Sequence, residues 1–110
     1  AGHLILAGEA MRVGVAAGAT LDALLTVVNG ASGRSAVTEV NYPRWIASGS
    51  FDSGFTMGLM AKDVGLALEL AERTGLAIPM LREVRERWNA LTQGWGPTAD
   101  FNRAVLGDPA

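Results

Sequence analysis

The sequence predicts an all-α, multi-helical domain spanning residues 1–110. Three observations carry that expectation. Apolar residues recur at three- and four-residue spacing between Phe55 and Thr74, and again after Pro79. Helix punctuation falls at the ends of the apolar stretches, with Gly18 and Gly75 as stops and Pro79 as a start. Strand signals are confined to Leu25–Val28 and Val37–Val40, and both lie inside better helical patterns.

The first helix is expected from the start of the chain to about Ala17, with Gly18 ending it. Glu9 and Arg12 lie three apart and are expected to pair on one face. Thr20 is a candidate cap for a short second helix that ends near Asn29–Gly30. The polar run Gly30-Ala-Ser-Gly-Arg-Ser35 reads as a tight turn, with Ser35 capping a third helix that Pro43 interrupts before Gly49. The longest loop is expected over Ser48–Gly54. In the helix that follows, Met57, Met60, Val64, Ala67, Leu68 and Ala71 share one face, while Phe55, Leu59, Leu66 and Leu70 share another. A helix apolar on two sides is expected to be packed on two sides and to be the centre of the fold. Pro79 opens the next helix, which carries a stripe of Leu81, Val84, Trp88 and Leu91 and an ion pair in the favourable order from Glu83 to Arg87. Gly94–Pro97 reads as a turn, Thr98 as the cap of a last short helix to about Leu106, and Asp108-Pro-Ala as a frayed tail. The total is five to seven helices.

At 110 residues, with 49% hydrophobic and 18% charged residues, the chain suits one domain with its own core. A net charge of −2 and the lack of any Lys/Arg run argue against nucleic acid or an anionic membrane as the main partner. No cysteine is present, which excludes disulfides, thiolate metal sites and cysteine nucleophiles and fits a cytoplasmic protein. The single histidine, His3, rules out a histidine-rich metal site. Leu4–Ala17 is interrupted by Glu9 and Arg12 and falls short of the ~20 residues that span a bilayer. No initiator Met and no capping residue precede Leu4, so the chain is expected to be a piece of something longer, starting in mid-helix.

Lys62 stands out as the only lysine among nine basic residues. On a helical wheel it falls inside the second apolar stripe, between Phe55/Leu59 and Leu66/Leu70. A cation there either lies at a rim with its stem over Phe55 or Leu59, or holds an anionic ligand in a polar cleft. Asp63 points about 100° away from it and is a poor direct partner. His3 as a general base, Ser32-Gly-Arg-Ser35 as an anion-holding turn, and Glu9 as a catalytic carboxylate are weaker candidates, each with a plain structural reading. Trp45, Trp88 and Trp95 read as core or interface anchors. No GxGxxG after a strand, no Walker loop and no HExxH is present, so the residues contain no self-sufficient catalytic constellation.

The run from Phe51 to Ala71, with Gly54-Phe55, a helical spacer, Lys62-Asp63 and Leu66-Ala67, resembles the C-terminal domain of the 3-hydroxyisobutyrate dehydrogenase and β-hydroxyacid dehydrogenase family. Val64 stands where that family has Leu. Glu9-Ala10, Ala17-Gly18, Asn29, Gly33-Arg-Ser35, Gly75, Ile78-Pro79 and Asp100-Phe101 extend the resemblance over nearly the whole chain. The resemblance implies a 6-phosphogluconate dehydrogenase C-terminal-like fold that follows an N-terminal Rossmann domain. It implies NAD or NADP as cofactor in the parent protein, with none held tightly by these residues alone, and a small β-hydroxy acid as substrate. By the same resemblance Lys62 and Phe55 are cofactor-side contacts, and Asp63 lies toward the substrate cleft. The family's proton-transfer lysine belongs to a Lys-x-x-Asn-Asn motif, expected just upstream of Ala1, so no catalytic residue is expected here and the isolated chain should be inactive. A homodimer or higher homo-oligomer is expected, because exposing a two-sided helix drives self-association. A non-catalytic helical oligomerisation or binding module is the alternative.

Overall fold

A computed structural model describes residues 1–110 as six helical elements joined by short turns. Helix α1 spans Gly2–Ala16 and α2 spans Leu21–Asn29. A π-helix follows over Val37–Ile46, then α3 over Met57–Arg73, α4 over Pro79–Trp95, and a closing 3-10 helix over Phe101–Leu106. The all-α reading holds; the sole β feature is one isolated antiparallel bridge, Thr56 to Asp100.

Local chemistry explains the boundaries. Thr20 caps α2 by accepting the Ala23 N–H at 3.2 Å, and Thr56 caps α3 by accepting the Leu59 N–H at 3.2 Å. Pro79 opens α4, and Gly75 and Gly96 take the positive φ of 71° and 92° that the turns after α3 and α4 require. The third helix tolerates Pro43 by widening. Ala47 donates to the Tyr42 carbonyl five residues back, at 2.7 Å. In that register the donor to the Thr38 carbonyl would be Pro43, which has no N–H. The Asn29 side chain supplies one instead, at 3.0 Å.

The core joins Leu4, Met11, Tyr42, Met57, Val64, Trp88, Leu91, Ala104 and Val105. Trp88, Leu91 and Met57 are fully buried where α3 packs along α4. Helix α1 crosses the 3-10 helix at Gly8, where an added Cβ would stand 2.6 Å from the Val105 Cα. The body is elongated, 43 × 30 × 23 Å. Only 15 of 110 residues are buried, so much apolar surface stays uncovered.

Several expectations are corrected. Helix α3 is packed on one side only: Met57 and Val64 are buried and Met60, Leu68 and Ala71 half-buried, but Ala67 is exposed. On the other side Leu59, Leu66 and Leu70 are exposed by 44%, 54% and 62%. Arg12 does not pair with Glu9; its Nε reaches the Gly8 carbonyl at 3.4 Å, and its guanidinium lies against Gly107. Arg87 does not pair with Glu83; its ion pair with Asp108 at 3.0 Å, together with Pro109 against Gly94, docks the tail expected to fray. Thr98 does not cap the last helix, because the bridge at Asp100 keeps that segment extended; Asp100 is the cap and accepts the Asn102 N–H at 2.9 Å. Ser35 offers its backbone to Thr38 Oγ1 and does not cap with its own side chain.

Candidate functional site

Of the residues that the sequence singled out, Lys62 and Asp63 lie at exposed positions of α3 and Phe55 in the loop before it. Phe55 sits just before the helix, after Gly54 at φ 86°. Lys62 lies two turns further on, about 10 Å along the axis from the helical rise. It is exposed between Leu59 and Leu66 and makes no ion pair. Asp63 is also exposed and unpaired, one face round. A lone ammonium within an uncovered apolar stripe suits an anionic group brought from outside, since its charge is unspent on the chain itself.

Phe55, but neither Lys62 nor Asp63, lines a cleft of about 310 Å³ with Phe51, Asp52, Gly54, Thr56, Thr98 and Asp100. The wall of this cleft is tied down more firmly than a surface loop usually is. The Asp100 carboxylate accepts the Ser53 N–H at 2.7 Å and the Ser53 hydroxyl at 2.6 Å through one oxygen, and the Asn102 N–H through the other. The same Ser53 hydroxyl oxygen accepts the Phe55 N–H at 3.3 Å. Phe101 donates its N–H to the Phe55 carbonyl at 3.0 Å, and the two rings meet edge to face at 5.1 Å. Phe51 holds φ at 43°, a strained value for an aromatic residue. The Arg103 guanidinium covers its ring at 4.6 Å and reaches the Trp95 ring at 5.4 Å. Sequence reasoning missed Ser53, Asp100 and Arg103 as parts of this wall. The available signal was an Asp two residues before Asn102 at a helix start.

The weaker candidates are only partly gathered. His3 and Ser32–Ser35 share the lining of a cleft of about 460 Å³ between α1 and the polar turn. Arg34 is spent on Glu39 at 3.7 Å. Glu9 lines a shallow groove with Met80 and Arg87, distant in sequence from the α3 residues. Trp88 is core, while Trp95 is half-buried and donates its Nε1–H to the Gly107 carbonyl at 2.8 Å. No group of three or more metal-ligating side chains is present. The arrangement can bind and orient; it brings no acid–base pair together.

Comparison with known proteins gives concordant matches. The family model described as NAD-binding of NADP-dependent 3-hydroxyisobutyrate dehydrogenase matches residues 1–106. The 2-(hydroxymethyl)glutarate dehydrogenase of Eubacterium barkeri is 38% identical over 72 residues, which covers 66% of this chain and 24% of that protein. The NAD-dependent L-serine dehydrogenase of Pseudomonas aeruginosa is 37% identical over 84 residues, covering 70% and 28%. A probable mitochondrial 3-hydroxyisobutyrate dehydrogenase of Arabidopsis thaliana is 29% identical over 100 residues, covering 86% and 29%. The chain thus spans under a third of the length of these relatives. Among solved structures, a Mycobacterium tuberculosis 3-hydroxyisobutyrate dehydrogenase with L-serine superposes with a TM-score of 0.87 at 24% identity, covering 96% of this chain and 38% of that one. That likeness shows the fold.

Proposed function

We propose, from the premise that the chain belongs to the 3-hydroxyisobutyrate dehydrogenase NAD-binding family, that it forms the helical wall of a cofactor and substrate cleft in an NAD(P)-dependent β-hydroxyacid dehydrogenase. The observation that carries this reading is the uncovered stripe of α3, with an unpaired Lys62 between exposed Leu59 and Leu66. The residues present fit a nicotinamide cofactor. Lys62 offers a cation to its anionic groups and Phe55 an apolar edge beside the cleft. When bound, that cofactor supplies hydride transfer. The chain's own residues bind and orient it and shield the cleft from water; Asp63 is assigned, more loosely, to the substrate side.

The substrate class follows from chemistry. The relatives are named for 2-(hydroxymethyl)glutarate, L-serine and 3-hydroxyisobutyrate. All three acids carry a hydroxyl on the carbon β to a carboxylate. We assign the same class here, with the proton-transfer lysine expected just upstream of Ala1 and the choice between NAD and NADP made by a nucleotide-binding domain outside these residues. A cytoplasmic location belongs to the same proposal; no helix here is long and apolar enough to cross a membrane. The test is turnover. The full-length protein should oxidise at least one of these β-hydroxy acids with NAD or NADP, and residues 1–110 alone should oxidise none. Failure of the full-length protein on all three acids with both cofactors overturns the assignment.

A further inference from the structure

We infer that Asp100 and Ser53 form a positioning pair for Phe55, holding the mouth of the cofactor cleft in a bound-ready shape. The inference rests on the cofactor-cleft reading above and adds residues to it. Phe55 precedes α3 and has only a glycine behind it, so nothing in its own helix fixes its backbone. Three contacts do so from elsewhere. Its N–H donates to Ser53 Oγ at 3.3 Å, and that hydroxyl donates to Asp100 Oδ2 at 2.6 Å. Its carbonyl accepts the Phe101 N–H, next to Asp100, at 3.0 Å. Its ring stands edge to face on the Phe101 ring. The carboxylate is buried and takes three hydrogen bonds, two from Ser53 and one from Asn102, 47 and 2 residues away in sequence. It therefore links the loop before α3 to the start of the 3-10 helix across 47 residues of sequence.

A capping aspartate needs only the Asn102 bond. The two bonds to Ser53 serve the loop, and the relay through the Ser53 hydroxyl ends on Phe55 itself. Asp100→Asn keeps the shape but sets an amide against one of the N–H donors, while Ser53→Ala removes the relay and leaves the cap intact. Asp100 itself lines the cleft, whereas Ser53 does not, so Ser53→Ala is the variant whose effect should pass through Phe55 alone.

The experiment uses steady-state kinetics on the full-length protein with four variants: Ser53→Ala, Asp100→Asn, Phe55→Ala and, as a stability control, Thr20→Ala. Thr20 caps α2, which packs on α1 and the π-helix, away from the cleft. Ser53→Ala should raise the cofactor KM about fivefold, the scale of one lost hydrogen bond, with the hydroxy-acid KM and kcat at saturating cofactor nearly unchanged, and Asp100→Asn should raise the cofactor KM at least as much. Thr20→Ala should lower the melting temperature and leave both KM values alone. If Phe55→Ala raises the cofactor KM but Ser53→Ala does not, the positioning role is wrong and the cleft reading stands. If Phe55→Ala has no effect either, the cleft reading fails and the positioning role with it. Should Asp100→Asn not fold, Ser53→Ala decides.

Discussion

Tyr42 shows how a single side chain reports on the core. Burial pushes its hydroxyl from 10.0 up to about 12, against the opposing pull of the Arg12 guanidinium. The folded state therefore holds the phenolic proton more tightly than the unfolded chain does. The resulting stabilisation is complete below pH 10 and lost as pH rises from 10 to about 12. Chemical denaturation across that range should show stability falling with pH, and Tyr42→Phe should flatten the fall while changing stability at pH 7 by no more than about 1 kcal/mol. Lys62 was legible from sequence because a wheel isolates one cation in an apolar stripe. Asp100 was not, since its importance lies in a contact with Ser53, 47 residues away, and no local pattern encodes that distance. The Glu9–Arg12 and Glu83–Arg87 pairs failed for a related reason. Spacing permits such a pair, but a surface ion pair is worth about 0–1 kcal/mol, so the Gly8 carbonyl and Asp108 compete successfully for the two arginines.

Helix positions came through because caps and breakers act locally. Thr20, Gly75 and Pro79 each sit where their chemistry demands, whereas the extended cap Thr56 starts α3 two residues later than the apolar pattern from Phe55 implied. The π-helix was read as a helix broken by Pro43; the remedy, an amide from Asn29, comes from another element. The crossing of α1 over the 3-10 helix was likewise invisible in sequence, because Gly8 matters only for what lies against it. With 2.6 Å from a would-be Cβ to the Val105 backbone, Gly8→Ala has no flexible side chain to push aside. It should cost about 1–3 kcal/mol by overpacking, read as a drop in the midpoint of urea unfolding. A Gly8→Ala variant as stable as the parent would show that the two helices can slide apart.

At the scale of the whole molecule, the open question is what covers the apolar surface. The sequence showed that α3 is apolar on two sides, and the inference that both sides are packed fails within this chain. Periodicity tells which residues seek burial but not whether the partner belongs to the same 110 residues. Leu6, Val13, Val27, Leu59, Leu66 and Leu70 all stay exposed, so residues 1–110 alone should self-associate. Light scattering across a concentration series should give at least a dimer, and a monomer at the highest concentration would count against it. The cofactor reading and simple oligomerisation make opposite demands on Lys62, since only the first gives its charge an anionic ligand. Equilibrium titration of NADH and NADPH into the full-length protein, parent and Lys62→Ala, separates them most directly. A charge-assisted contact is worth about 1.5–3 kcal/mol, so Lys62→Ala should weaken the bound cofactor by about tenfold or more with an unchanged melting temperature. Equal affinities in the two proteins would mean that the uncovered face of α3 is not the cofactor wall.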